Sequence, residues 1–198
     1  MKIELTWKFQ NGVTVQISHF YFFTFIYLYS KFILLKKLFF LPVFIFLYAV
    51  AFPLEDSTAP VYQRFPTIPE FTVFKAPDST SFTRDDLKKN KPVVFMIFSP
   101  DCEHCQHETE KLLANIDKFK NAQIIMITYL PYDEMMVFYK NYKIADYPQI
   151  TMARDTKFFF PVFFKIRNLP SIFVYDKKGN LKKNFEGSVN TDLISDEL

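Results

Sequence analysis

Cysteine is nearly absent from this sequence. Among 198 residues only Cys102 and Cys105 occur, so a framework of structural disulfides is excluded. Three positions apart, they suit a redox pair or half of a metal site. A strong excess of charge is also lacking. The formal net charge is +3, but residues 1–51 hold five lysines and one glutamate, which leaves 19 basic and 20 acidic residues beyond them. A near-neutral remainder gives no electrostatic footprint for nucleic acid, and nucleic-acid partners are not expected. There are no internal repeats, and no low-complexity tract lies outside the N-terminal region. What is plentiful is apolar material: 49% of residues, 26 of them phenylalanine. That suffices for one ordinary domain of ~100–150 residues preceded by a leader.

From Phe20 to Ala51 the chain is dominated by Phe, Ile, Leu, Tyr and Val, with charges only at Lys31, Lys36 and Lys37. Fourteen uncharged residues, Leu38 to Ala51, follow the lysines and end in Ala49-Val50-Ala51. This is a basic region, an apolar region and an A-x-A cleavage site in the order of a signal peptide. The run is shorter than the ~20 residues of a spanning helix and contains Pro42. Phe20 to Leu35 is also apolar, so two outcomes follow: cleavage after Ala51, or retention as an N-terminal membrane anchor. No cysteine follows the run, which excludes a lipoprotein anchor. The lysines stay on the cytoplasmic side, and everything after Ala51 is sent outward, to the periplasm or cell exterior. Residues 1–19 are polar and unpatterned. The terminal Ser195-Asp196-Glu197-Leu198 resembles a retention tail only loosely, lacking its Lys or His.

Phe52 to Pro69 is proline-rich and without periodicity, and reads as an extended linker. Phe71–Phe74 alternates like a strand, and Thr83 with Asp86 forms the pattern of a capping box opening a short helix through Leu87. Val93–Phe98 is a continuous apolar run of strand length, the pattern of a strand covered on both faces. From Cys102 onward, Cys105, Thr109, Leu112, Leu113, Ile116 and Phe119 recur at helical spacing. Gln123–Thr128 is a second apolar strand, Asp133–Tyr142 a helix with an acidic start, and Gln149–Met152 a brief extension. The strand–helix–strand order implies parallel strands with a right-handed crossover. Asp155 caps a short aromatic helix reaching Lys165, provided Pro161 falls in its first turn. Ser171–Tyr175 and Leu181–Phe185 form a hairpin around Asp176–Asn180, and Thr191–Leu198 closes as a short helix.

The chemistry concentrates in Cys102-Glu103-His104-Cys105, at the junction of a buried strand and a helix. Unpaired N–H groups at the helix start, and its dipole, stabilise negative charge on the Cys102 sulfur. The thiolate is the attacking species in disulfide exchange. Cys105, one turn on, is placed to resolve a mixed disulfide on Cys102. His104 favours the dithiolate side and makes the pair more oxidising, while Glu103 acts the other way. A metal site would need His104 or His107 to complete it from within two turns. Covalent haem is excluded because Gln106 stands where a histidine is required. The cluster Phe158, Phe159, Phe160, Phe163 and Phe164 is core-forming, with a portion able to meet unfolded or membrane partners.

Val93–Glu110, together with Asn168-Leu169-Pro170-Ser171, resembles the thioredoxin superfamily, and more narrowly its extracytoplasmic branch typified by TlpA and ResA. The resemblance runs from about Pro69 to Gly187. It implies an α/β, thioredoxin-like fold: a central mixed sheet flanked by helices, behind a hydrophobic leader. The organisation is then 1–51 as extension plus signal peptide or anchor, 52–69 as linker, and 70–198 as the thioredoxin-like domain. It also implies that Cys102 is nucleophilic and Cys105 resolving, that Pro170 follows a cis bond and faces the cysteines, and that Leu169 leaves its backbone free for an extended substrate. Glu108 matches a carboxylate used in proton handling near the second cysteine. The sequence departs from the family in having Pro100-Asp101 where a tryptophan is usual. His104 replaces the proline before the second cysteine, as in protein disulfide isomerase and DsbA, and Met96 replaces a buried acid.

The implied activity is thiol–disulfide exchange through the CxxC pair, with no cofactor and no metal. Partners are extracytoplasmic proteins carrying thiols or disulfides and a membrane or periplasmic redox partner, with membrane contact through the leader if it is uncleaved. A peroxiredoxin-like peroxidase is the alternative, because Ser99 stands three residues before Cys102, although Phe95 occupies the place of the expected proline. A non-catalytic thioredoxin-fold module holding a metal or client is the third reading.

Overall fold

A computed structural model describes residues 59–198 and, in the N-terminal region, two short strands, β1 (Thr6–Lys8) and β2 (Thr14–Gln16). The chain divides into two units, Met1–Ser57 and Thr58–Leu198. In the first, β1 and β2 pair antiparallel with Trp7 opposite Val15. The leader and its cleavage site, expected over Phe20–Ala51, lie outside the described residues. Among those residues no helix is long and apolar enough to cross a membrane.

The second unit is organised by β5 (Val93–Ile97), every residue of which is buried. It pairs parallel with β6 (Gln123–Thr128) on one side and antiparallel with β8 (Ser171–Tyr175) on the other. The sheet continues outward through β7 (Ile150–Arg154), β3 (Thr72–Lys75) and β4 (Ser81–Thr83), and beyond β8 to β9 (Leu181–Glu186), in the order β4-β3-β7-β6-β5-β8-β9. Side chains alternate across a strand, and here both faces are covered. Val94, Met96 and Phe98 point into a cluster with Cys105, Leu112, Met135 and Phe138, whereas Val93, Phe95 and Ile97 point into a second cluster with Tyr62, Phe71, Phe160 and Phe164. The unbroken apolar run is thus two alternating faces read together.

Helices α2 (Glu103–Ala114) and α3 (Tyr132–Asn141) supply the first cluster, joined by α5 (Thr191–Ser195) through Ile194. α1 (Val61–Arg64) and α4 (Phe159–Phe163) supply the second. The second cluster is built on aromatic edges: Phe95 meets Phe71, Phe160 and Tyr175 at centroid distances of 5.6, 5.4 and 5.7 Å. The Phe158–Phe164 segment is divided as its pattern suggests, with Phe160 and Phe164 buried and Phe158 exposed.

Several boundaries differ from expectation, each for a local reason. The linker over 52–69 is structured from residue 59: Tyr62 is 6% exposed, edge-on to Phe164 and Phe173. Ile68 N–H donates to the Gly179 carbonyl at 3.0 Å, and Leu181 N–H to the Pro66 carbonyl at 2.7 Å. One buried residue in such a stretch leaves no periodicity to read. The helix beginning at Cys102 breaks after Ala114 into a 3-10 turn, Ile116–Phe119, which still buries Phe119. The turn Arg84–Asp86 is a single 3-10 turn with the reciprocal Thr83–Asp86 box in place. The helix expected from Asp133 starts at Tyr132, with Pro131 as its cap and Asp133 and Glu134 in the first turn. The brief extension at Gln149 is a full strand, β7, in parallel register with β6. Asp155, buried, accepts N–H bonds from Lys157 and Phe160 at 3.1 and 2.8 Å and so caps the aromatic helix. Pro161, its third residue, lies in the first turn, where no intrahelical N–H bond is lost.

Phe95→Ala should be among the most damaging core truncations, costing about 3–5 kcal/mol. Val162→Ala, at a 69% exposed position, should change stability by less than about 0.5 kcal/mol. Urea unfolding of the two variants checks the contrast.

Candidate active site

Beyond β5 the backbone stays in the sheet for one more residue, with Phe98 N–H donating to the Ile127 carbonyl at 2.9 Å. It then turns sharply. Cys102 N–H donates to the Ser99 carbonyl at 3.1 Å, closing a four-residue turn in which proline occupies the second position. Gln106 Nε2 reaches back to the Pro100 carbonyl at 2.9 Å, fastening the turn to α2. Cys102 is the N-cap of α2 in extended geometry, and its carbonyl accepts the N–H groups of Cys105 and Gln106, each at 3.0 Å. The strand, the turn and the first helical bonds therefore fix both cysteines.

The two sulfurs meet different surroundings. Both thiols are free; Cys102 is partly exposed and Cys105 fully buried. Burial pushes the Cys105 thiol well above the usual range. Its hydrogen bond with the Cys102 side chain and the nearby negative charges of Cys102 and Asp101 act in the same direction, and a hydrogen bond from the Ser99 backbone opposes them. The outer sulfur is partly open to solvent, while burial favours the protonated form of the inner one.

The loop before β8 closes the site from the other side. The Leu169–Pro170 peptide bond is cis, and the Cys102 thiol lies 3.9 Å from the Leu169 carbonyl as a weak donor. Pro170 is buried; its carbonyl accepts Gly187 N–H at 2.8 Å, and Ser171 Oγ donates to the Asn168 carbonyl at 2.6 Å. The structure thus brings Cys102, Cys105 and the Leu169–Pro170 loop together. A second cis bond, Ala76–Pro77, lies elsewhere and is not signalled by any sequence pattern.

Glu108 and His104 are placed differently. Glu108 is 1% exposed, and its Oε2 accepts the Ser188 hydroxyl at 2.9 Å and the Val189 N–H at 3.1 Å, with Lys111 Nζ at 3.9 Å. Those contacts tie α2 to the segment between β9 and α5, and none of Glu108's hydrogen bonds is to a sulfur. His104 is exposed and has no hydrogen-bond or ion-pair partner among the described residues. His107 is exposed too, paired with Glu103 at 3.9 Å and Glu110 at 3.4 Å. Among the described residues no group of three or more His, Cys, Asp or Glu is arranged to hold a metal ion.

A feature that sequence reading missed is the Ser99–Asp101 pair. Ser99, 7% exposed, donates its hydroxyl to Asp101 Oδ1, which holds a carboxylate beside Cys102. The signal was present in Ser99-Pro100-Asp101, a turn-forming triplet whose ends carry a donor and an acceptor two residues apart.

Alkylation at neutral pH should modify Cys102 well before Cys105, as peptide mass mapping can show. Because burial raises the Cys105 thiol, labelling of the Cys102→Ser variant should keep accelerating beyond pH ~9, where an ordinary thiol near 8.5 has levelled off. Equal labelling of both cysteines at pH 7 would contradict this geometry.

Among curated proteins none matches the sequence. Similar solved structures are found. A secreted Mycobacterium tuberculosis disulfide oxidoreductase homologous to E. coli DsbE is 18% identical, over 64% of this chain and 92% of that one, with a TM-score of 0.54. The exposed lipoprotein thioredoxin Etrx1 of Streptococcus pneumoniae is 18% identical, over 66% and 100%, with a TM-score of 0.52. Peroxidoxin BcpB of M. tuberculosis is 16% identical, over 66% and 92%, with a TM-score of 0.57. At these identities the likeness is one of fold, and the fold is thioredoxin-like. The sequence pattern of the AhpC/TSA family matches residues 66–184, from the segment that pairs with the turn of the β8–β9 hairpin to the last strand of that hairpin. With more than half of its length inside that match, the chain belongs to the AhpC/TSA family.

Proposed function

We propose that this protein is a thiol–disulfide oxidoreductase acting outside the cytoplasm. The observation that carries the reading is the stacking of an accessible Cys102 over a buried, protonated Cys105 at the start of α2. In the reducing direction the Cys102 thiolate attacks one sulfur of a client disulfide, forming a mixed disulfide and releasing the other client sulfur as a thiolate that takes a proton. Cys105 then loses its proton and attacks the Cys102 sulfur. The Cys102–Cys105 disulfide forms, and the second client thiolate leaves. Two electrons and two protons pass to the client, and the reverse sequence oxidises a client dithiol. The high proton affinity of Cys105 suits the order of events, since it delays the second attack until a partner is bound to Cys102. The loop of Leu169 and Pro170 borders the outer sulfur and is where the backbone of a client would lie. His104, on the exposed surface between the two cysteines, would tune the pair by its charge, and Glu108 would act by fixing α2.

The extracytoplasmic setting is supported by the signal-like run ending at Ala49-Val50-Ala51, and by fold neighbours described as secreted or as an exposed lipoprotein. Clients are then extracytoplasmic proteins with thiols or disulfides, and a membrane or periplasmic redox partner restores the working oxidation state.

A peroxidase is the second reading, favoured by the likeness to a peroxidoxin and by Ser99 three residues before Cys102. Two features weigh against it. The Ser99 hydroxyl is committed to Asp101 rather than to Cys102, and a second cysteine one turn away is placed to form an internal disulfide. With purified full-length protein, Cys105→Ser should accumulate mixed disulfides with a reducible peptide disulfide, and Cys102→Ser should abolish exchange. Hydrogen-peroxide consumption that outpaces disulfide exchange, and that survives in Cys105→Ser with added thiol, would establish the peroxidase reading instead.

A further inference from the structure

Lysine side chains converge on the end of the sheet that lies away from the cysteines. Val93, the first residue of β5, is paired with Tyr175, the last of β8, so the turn preceding β5 and the hairpin turn following β8 sit side by side there. The first turn carries Lys88, Lys89 and Lys91 and the second Lys177 and Lys178, and all five line one cavity of about 310 Å³. The cysteine turn begins at the other end of β5, the ~16 Å of a five-residue strand away. Both lysine turns have fixed backbones. Gln123, buried, accepts the Lys88 N–H and donates to the Lys88 carbonyl, each at 2.9 Å. In the hairpin, Ile68 N–H donates to the Gly179 carbonyl at 3.0 Å, and Asp176 Oδ1 accepts the N–H groups of Lys178 and Asn180, both at 2.8 Å. Lys88, Lys89, Lys177 and Lys178 are exposed and Lys91 is half-buried.

Local acids leave this charge in place. None of the five lysines has an ion-pair partner among the described residues. Asp176, the one acid among the described residues lining the cavity, is committed to its own turn, with Lys178 near but not paired to it. Asp86 is bonded to Thr83, Arg84 is paired with Glu70, and Asp85 borders a different cavity. A positive patch therefore stands on a chain that carries 19 basic and 20 acidic residues beyond residue 51. The one buried polar side chain lining the cavity, Gln123, is turned to the Lys88 backbone. Exposed lysines without a buried polar partner do not cradle a single anion; they match a surface that carries many. We propose that this five-lysine end docks on an anionic phospholipid surface and holds the cysteine end away from the bilayer. A membrane is the anionic surface at hand for a chain whose N-terminal region carries the apolar run Phe20–Ala51. Each lysine close to such a surface strengthens attachment by about fivefold. The inference goes beyond the exchange reading and is independent of it, since docking is read on lysines and exchange on cysteines.

The test is sedimentation of the full-length protein with preformed vesicles of phosphatidylcholine alone, or of equimolar phosphatidylcholine and phosphatidylglycerol. Comparing the anionic-to-neutral partition ratio between variants removes the contribution of the N-terminal region, which is common to all of them. Lys89→Gln and Lys178→Gln should each lower that ratio about fivefold, and the difference from wild type should vanish at ~1 M salt, where the Debye length falls to about 3 Å. Lys157→Gln, at an exposed lysine just beyond β7 at the cysteine end of the sheet, should leave the ratio unchanged. On anionic vesicles the five lysines should be protected from acetylation while Cys102 is alkylated at its free rate. Ratios unchanged in Lys89→Gln and Lys178→Gln, an equal fall in Lys157→Gln, or shielding of Cys102 would overturn the proposal. Protection of the same lysines by inorganic phosphate without vesicles would assign the patch to a small anion and overturn it as well.

Discussion

The burial of β5 on both faces is the constraint from which the rest follows. A strand in mid-sheet has no freedom to slip: its register with β6 and β8 is fixed over five residues on each side, and a one-residue shift would exchange the two core clusters. Its C-terminal end is therefore a fixed point, and the turn that begins at Ser99 starts from it. The antiparallel pairing with β8 brings Ser171 opposite Ile97 and so delivers the Leu169–Pro170 loop to the same end of the sheet. Two segments about 70 residues apart in the chain meet because one strand cannot move.

Within that frame, the chemistry depends on how differently the two sulfurs are solvated. Cys102 stands at a helix start with access to solvent, whereas Cys105 shares a dry cluster with Val94, Met96 and Phe98. On the exchange reading proposed above, burial would supply the order of reaction, with the outer sulfur meeting the client and the inner sulfur meeting the outer one. Glu108, fully enclosed, is an example of a charge whose partners are structural; its two hydrogen bonds hold the segment between β9 and α5 against α2.

Much of this was legible in the sequence, because the governing signals were local and strong. The apolar run at Val93, the turn at Ser99-Pro100-Asp101 and the helical spacing beyond Cys102 are each readable within a dozen residues. β6 and β8 agree with their expected limits, since both are uninterrupted buried strands between clear breakers. What escaped was decided by single long-range contacts. Tyr62 turns a proline-rich stretch into part of the folded unit by inserting one ring against Phe164 and Phe173. β4 exists because three residues can pair with β3, and its one buried side chain, Phe82, packs beside Phe71. At the site, the spacing of Glu108 from the cysteines was visible, but the direction of its carboxylate depends on Ser188 and Val189, some 80 positions later. The Ser99–Asp101 bond was local, and only the side-chain geometry shows that the serine hydroxyl serves the carboxylate and not a sulfur.

The central claim is that Cys102 and Cys105 form one reversible two-electron couple. A redox titration of the full-length protein against defined thiol buffers, read by the mass and alkylation state of the two cysteines, tests it directly. The account predicts a single reversible transition between the dithiol and an intramolecular Cys102–Cys105 disulfide. The absence of a reversible transition, or oxidation that stops at a sulfenic acid on Cys102 with Cys105 still reduced, would contradict it.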